Sequence, residues 1–158
     1  MSYLIREMRE DDIDACLALG AKLHQESNFR HLPYERNKSR ELGIKICSDP
    51  ERKLFNNFIV EYDNKIIAML VLNITEHWFN YIKICQDMHF YVDPDYRNRW
   101  PMMSIKLIRA GEQWAKRVGA SSFLMANTSE IDNISDRLGK LFKFLKYKHI
   151  GDFYAKDI

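Results

Sequence analysis

Two side chains able to carry a proton sit close together in the segment Ile84-Cys-Gln-Asp-Met-His-Phe-Tyr-Val92. Met88, Phe90 and Val92 alternate there with Asp87, His89 and Tyr91, the pattern of a half-buried strand with one polar face. Imidazole titrates near neutrality without tuning, so His89 is a candidate general base, and Asp87 on the same expected face is another. A solvated sheet face would explain both residues equally well, and Glu76 and His77 are more distant candidates.

The next stretch suits a different task. Pro94 ends the strand, a polar and basic turn runs from Asp93 to Pro101, and Pro101 falls where a helix tolerates a missing N–H. From Met102 to Val118 apolar residues recur at helical spacing, with Met103, Leu107, Ala110 and Trp114 inward and Lys106, Arg109, Glu112, Lys116 and Arg117 outward. Gly119 is the stop signal, and Ser122-Phe-Leu-Met-Ala126 reads as the next buried strand. A strand, a turn and a helix N-terminus in succession gather backbone N–H groups at one point, a ready site for phosphate.

Other chemistries lack their signatures. His24, His31, His77, His89 and His149 are scattered without a ligand-pair spacing, so no metal site is expected. Cys16, Cys47 and Cys85 make neither a CxxC nor a Cys/His pattern and read as buried, reduced thiols of a cytoplasmic protein. No G-x-S-x-G elbow is present.

Val92-Asp-Pro-Asp-Tyr-Arg97, followed by a helix containing Glu112-Gln-Trp-Ala-Lys-Arg-Val-Gly-Ala120, resembles the central motif of the GNAT family of acyl-CoA-dependent N-acetyltransferases. The resemblance implies acetyl-CoA as acyl donor, with its pyrophosphate on Arg97 and the amides from Asn98 through Arg99, Trp100 and Met102 to Met103. It also implies a backbone N–H around Phe90, Tyr91 and Val92 for the thioester carbonyl, and adds Asn127 and Ser135 as cofactor contacts. Where the family keeps a glycine and a second small residue, this chain has Trp100 and Met102. Pro101 lacks an N–H, and an exposed Trp100 indole beside Arg97 and Arg99 could stack on adenine or lie against a partner.

The family often places an acidic tyrosine on its last helix. With Lys146-Tyr147 set against the family's Gly-Phe pair, that position holds Phe142, so the thiolate leaves unaided, or Tyr147 or Tyr154 substitutes, or acetyl transfer is absent. The segment between the first two helices lines the acceptor side in such proteins, which makes Phe29, Arg30, His31 and Tyr34 substrate-binding candidates. Read without the resemblance, they form a solvated loop with one anchoring aromatic.

These residues need a framework. Tyr3 to Arg6 reads as a strand. Asp11 or Asp12 caps a helix burying Ile13, Cys16, Leu17, Leu19 and Leu23, and a second helix runs from Tyr34 to Cys47 on Leu42, Ile44 and Ile46. Phe58–Tyr62 and Ile66–Thr75 flank a hairpin turn in which Asn64 suits a positive φ. Glu76-His-Trp-Phe-Asn-Tyr81 is an aromatic connection that reads best as a cap on the core, with a ligand cleft or a subunit contact as alternatives. A helix from Ile134 to about Leu145, capped by Asn133 or Ser135, precedes a closing hairpin of Tyr147–Ile150 and Phe153–Ala155. The expected fold is mixed α/β, a mostly antiparallel sheet flanked by helices in the GNAT arrangement, and a single domain over 1–158.

Composition agrees with a globular domain: 46% of residues are hydrophobic, 29% are charged, and the net charge of +2 does not call for nucleic acid. No leader or membrane-crossing stretch is evident. The expected function is transfer of an acetyl group to a primary amine of a small molecule or protein, with a homodimer as the family's habit. One alternative is an inactive GNAT-like binding or assembly protein. The other is nucleic-acid binding through Arg97, Arg99, Lys106, Arg109, Lys116 and Arg117.

Overall fold

The described residues of the computed structural model are 2–127, 131, 134–152, 154 and 156, with side chains for all but 134 and 135. In chain order they form β1 (Leu4–Glu7), α1 (Ile13–Glu26), α2 (Arg36–Ser48), β2 (Phe55–Tyr62), β3 (Lys65–Glu76), β4 (Lys83–Val92), α3 (Met103–Arg117), β5 (Ser122–Leu124) and α4 (Ile134–Phe144). The strands lie in that order in one sheet, antiparallel throughout except that β4 and β5 run parallel.

Local sequence explains most of this. Asp63 and Asn64 both take left-handed φ values, 51° and 58°, so the β2–β3 turn has the twist that matches two right-twisted strands. α1 buries Ile13, Cys16, Leu17, Leu19 and Leu23, the stripe its spacing predicts. With Ile46 of α2 these residues pack on Ile59, Met69, Val71 and Tyr91, one face of the sheet. Met103, Leu107 and Trp114 of α3 cover Val60, Leu70, Leu72 and Cys85 on the other. α3 comes close because residue 111 is glycine: a Cβ there would meet Leu72 Cδ1 at 2.8 Å.

Both C-terminal helices end in the same way. Gly119 has φ 86° and donates to the Lys116 carbonyl at 3.1 Å, while the Ala120 N–H reaches Ala115 at 2.9 Å. In α4, Lys146 adopts φ 64°, donating to Lys143 at 3.0 Å, and Tyr147 N–H reaches Phe142 at 2.9 Å. Lysine thus occupies a left-handed position that glycine fills more easily.

Several expectations are corrected. Asp12 stands at the expected N-cap of α1, but its side chain accepts the Arg9 N–H at 2.7 Å across the short turn Glu10–Asp12 and makes no cap bond to the helix. α2 starts two residues later than expected, and Ile44 is exposed because Gly43 and Ile46 take the inner face. Cys16 and Cys85 are buried, but Cys47 is only half-buried. The aromatic β3–β4 connection caps nothing: Trp78, Phe79 and Tyr81 are 90%, 86% and 89% exposed. Its own bonds close it, from the His77 N–H to Ile82 at 2.9 Å and the Asn80 N–H to His77 at 3.2 Å. Residues 147–150 form no strand, and the Tyr147 N–H is instead spent on closing α4; Phe153 and Ala155 lie outside the described residues. Asn133 and the Ser135 side chain, offered as caps, also lie outside them.

Candidate active site

β4 and β5 separate soon after they meet. They pair only from Ile84↔Ser122 to Gln86↔Leu124, and the Ala126 N–H then donates to Asp87 Oδ1 at 2.6 Å, where the two strands part. Among the described residues β4 runs on to Val92 with that edge unpaired. Asp93 gives its N–H to Ile67 of β3 at 2.9 Å, so by strand alternation Val92 and Phe90 turn theirs to the open edge. The Phe90 N–H is thus a backbone donor on the open side of the cleft.

The cross-strand register also changes the reading of the two candidate bases. His89 pairs with Val71 and Asp87 with Leu72, so Met88 is one extra residue, a β-bulge. Asp87 therefore shares the α3 face with Leu72, while His89 shares the face of Val71 and Tyr91 under α1 and α2. The single polar face expected from alternation does not exist, because the bulge inverts the strand between the two residues.

Their electrostatics differ too. Burial pushes the Asp87 carboxyl up to about 6, against the Ala126 N–H, which favours the charged form. Desolvation lowers the His89 pKa and favours the neutral ring, although the residue is exposed to solvent.

The loop after β4 is held by side chains from distant segments. Arg97 Nε donates to the Val92 carbonyl at 2.9 Å, its guanidinium grips Glu26 of α1 at 2.5 and 3.2 Å, and it lies 5.2 Å from the Tyr91 ring centre. The Tyr91 hydroxyl donates to the same Glu26 carboxylate at 2.5 Å. Burial alone would raise the pKa of Glu26, but the bonds from Arg97 and Tyr91 outweigh it and hold it below the usual range. Arg97 thus ties the loop to α1.

Trp100, expected to be an exposed indole, is half-buried against Tyr3 and Tyr62 at ring distances of 5.3 and 4.8 Å. Arg99 stacks over Tyr62 and Trp100 at 4.7 and 4.9 Å and donates to the Tyr62 hydroxyl at 3.0 Å. Asn98 takes φ 67°, and its side chain accepts from Arg137 of α4 at 2.9 Å. Met102 is exposed at the rim, while Met103 is buried in the core and belongs to packing. Behind the rim, the Met103 and Lys106 N–H groups are taken by the Trp100 and Met102 carbonyls, both at 3.0 Å, so the first turn of α3 presents those of Ser104 and Ile105.

On the other face, α1, α2 and the sheet enclose a cavity of about 360 Å³. Phe29 and Tyr34 line it, together with His24, Asn57, Met88 and His89. Arg30 and His31 are exposed and take no part in its lining, His31 bonding instead to the Asn28 carbonyl at 2.9 Å. Tyr147 lies on the α3 face with its hydroxyl on Glu112 at 2.5 Å, and burial and that carboxylate raise its pKa. Tyr154 is 92% exposed, Asn127 is exposed at the end of the segment after β5, and the Ser135 side chain is outside the described residues.

Glu26, Arg137, His24 and Asn57 escaped the sequence reading. Only Arg137 carried a signal, a cation near the start of a helix that follows the cofactor strand. Among the described residues no group of three His, Cys, Asp or Glu side chains comes together to hold a metal, and no helix is long and apolar enough to cross a membrane.

A splayed parallel strand pair with a helix N-terminus at its mouth defines an acyl-CoA N-acyltransferase fold. The chain belongs to the acetyltransferase (GNAT) family, whose model matches residues 6–138. Among solved structures it is similar to the aminoglycoside acetyltransferase AAC(6')-Iy in complex with a CoA bisubstrate analogue of acetylneamine, at 19% identity, TM-score 0.74 and full coverage of both chains. An acetyltransferase of Trypanosoma brucei matches at 14% identity and TM-score 0.71 over 99% of this chain and 100% of that one. A ribosomal-protein-alanine N-acetyltransferase of Brucella melitensis matches at 13% and 0.69, over 100% and 99%. At these identities the likeness is one of fold. No curated protein matches the chain.

Proposed function

We propose that the protein transfers the acetyl group of acetyl-CoA to a primary amine. The observation that carries this is the edge of β4 beside β5, unpaired among the described residues, with the first turn of α3 at its end. When bound, acetyl-CoA supplies an activated acyl group on a thiolate leaving group.

The chain's own residues supply the rest. The Ser104 and Ile105 amides at the start of α3 and the cations Arg99 and Arg137 border the loop where a pyrophosphate would rest. Arg97 keeps the loop on α1, Phe90 directs its N–H at developing negative charge on the carbonyl oxygen, and Asp87 holds the cleft open at Ala126. We assign proton removal from the amine to His89, because it lines the cavity on the acceptor side and Asp87 does not. Phe142 has no proton to give, and the Tyr147 hydroxyl is already committed to Glu112, so the thiolate leaves without a side-chain acid.

Calorimetric titration with acetyl-CoA tests the reading. Saturable binding is expected, weakened several-fold by Arg137→Glu without loss of fold. Absence of binding heat and of any thermal stabilisation would favour the alternative, a binding protein that has given up the cofactor.

A further inference from the structure

The cavity between α1, α2 and the sheet has a composition that selects among amines. Its volume of about 360 Å³ equals the liquid volume of about a dozen waters. Among the described residues its lining includes no Asp, Glu, Lys or Arg. Leu23, Ile46, Met69, Val71 and Met88 make most of the wall apolar. The nearest acidic side chain of α1's last turn, Glu26, is bound to Arg97 and Tyr91.

Two polar atoms in the wall are unsatisfied. His24 Nε2 and Asn57 Oδ1 are buried without a hydrogen-bond partner among the described residues. Tyr34 and Ser27 are occupied: the Tyr34 hydroxyl donates to the Leu17 carbonyl at 3.1 Å, and Ser27 Oγ donates to the His24 carbonyl at 3.0 Å. The Asn57 amide nitrogen faces Met8 Sδ and Cys16 Sγ at 3.2 and 3.7 Å. Buried polar atoms left unpaired are costly, and a ligand that pairs them recovers that cost on binding.

We infer that the acceptor is a compact monoamine with an apolar body and one further hydrogen-bonding group, held at that group by Asn57 and His24 with its amine at His89. The inference rests on this cavity being the acceptor site of the proposed acetyl transfer. Only one ammonium can be accommodated, because His89 removes its proton, and each additional buried ammonium would need a carboxylate that the lining lacks. A polycationic aminoglycoside, the substrate class named for several similar structures, is therefore disfavoured on charge.

Acetylation of tyramine, phenethylamine and neamine should be compared by mass spectrometry at equal acetyl-CoA. The expected order is tyramine above phenethylamine, with neamine at least tenfold lower in kcat/KM. Asn57→Leu should raise KM for tyramine about fivefold, by more than it changes that for phenethylamine, leave acetyl-CoA binding unchanged, and raise the melting temperature by removing an unpaired polar atom. Neamine turned over as well as tyramine, or an unchanged tyramine KM in Asn57→Leu and in His24→Phe, would overturn the inference while leaving the acetyltransferase reading intact. No acetylation of any amine, together with no acetyl-CoA binding, would instead remove the reading on which it rests.

Discussion

Asp87 and His89 are two residues apart and do different work because Met88 bulges between them. If His89 takes the amine proton, His89→Gln should lower kcat/KM by about a hundredfold or more near pH 7, with recovery as rising pH deprotonates the amine itself. Asp87→Asn should retain most activity, its Oδ1 still accepting from Ala126. The reverse ranking in a pH-rate profile would move the base to Asp87. Asp87 has a separate signature in stability. Its folded pKa of about 6 lies above the ordinary carboxylate value, so the native state holds this proton more tightly than the unfolded chain. That stabilising contribution is complete below about pH 4 and lost as pH rises through 6. Asp87→Asn, neutral throughout, should match the parent at the acid end of urea-midpoint measurements and exceed it above pH 6.

At the scale of elements, the loop from Arg97 to Met102 is shaped by packing where related proteins use glycine. Trp100 anchors it on Tyr3 and Tyr62, Arg99 stacks across the same rings, and Arg97 pins its start to α1. Trp100→Gly is therefore expected to cost roughly 2–3 kcal/mol, less than removal of a fully buried indole. It should weaken acetyl-CoA binding by loosening the loop, and urea unfolding with calorimetry checks both. A variant of parental stability that binds more tightly would show that the indole only obstructs the site. Glycine would restore the close backbone approach but not the contacts that position it.

Across the whole molecule, charged contacts fasten the helical layer to the sheet. Arg6 of β1 donates to both Asp12 oxygens at 2.6 and 2.9 Å and to Glu61 of β2 at 2.9 Å. Lys22 of α1 pairs with buried Asp93 beyond the end of β4 at 2.6 Å. The Arg6 hydrogen bond holds the Asp12 pKa below the usual carboxylate range, so its contribution is present above about pH 4 and is lost as pH falls through the depressed value. Arg6→Met leaves a mostly buried carboxylate unpaired and should cost about 3 kcal/mol at pH 7. The gap to the parent should narrow below pH 4 as Asp12 is protonated. A pH-independent gap would mean that Arg6 contributes by packing alone.

What the sequence determined by itself is what neighbours along the chain can enforce. The buried stripes of α1 and α3, the turn at Asp63-Asn64, the stop at Gly119 and the order of elements up to α4 all follow from periodicity and local backbone preference. The family resemblance rested on the same contiguous stretch. Tertiary structure alone decided which face each candidate base occupies, because a bulge is defined against the partner strand and leaves alternation looking regular within one segment. It also committed Arg97 to a glutamate 71 residues away, withdrew Trp100 from solvent, and put His24 and Asn57 in one wall. Those choices depend on which distant side chains compete for the same charge, ring or volume, and a periodic pattern carries no record of that competition.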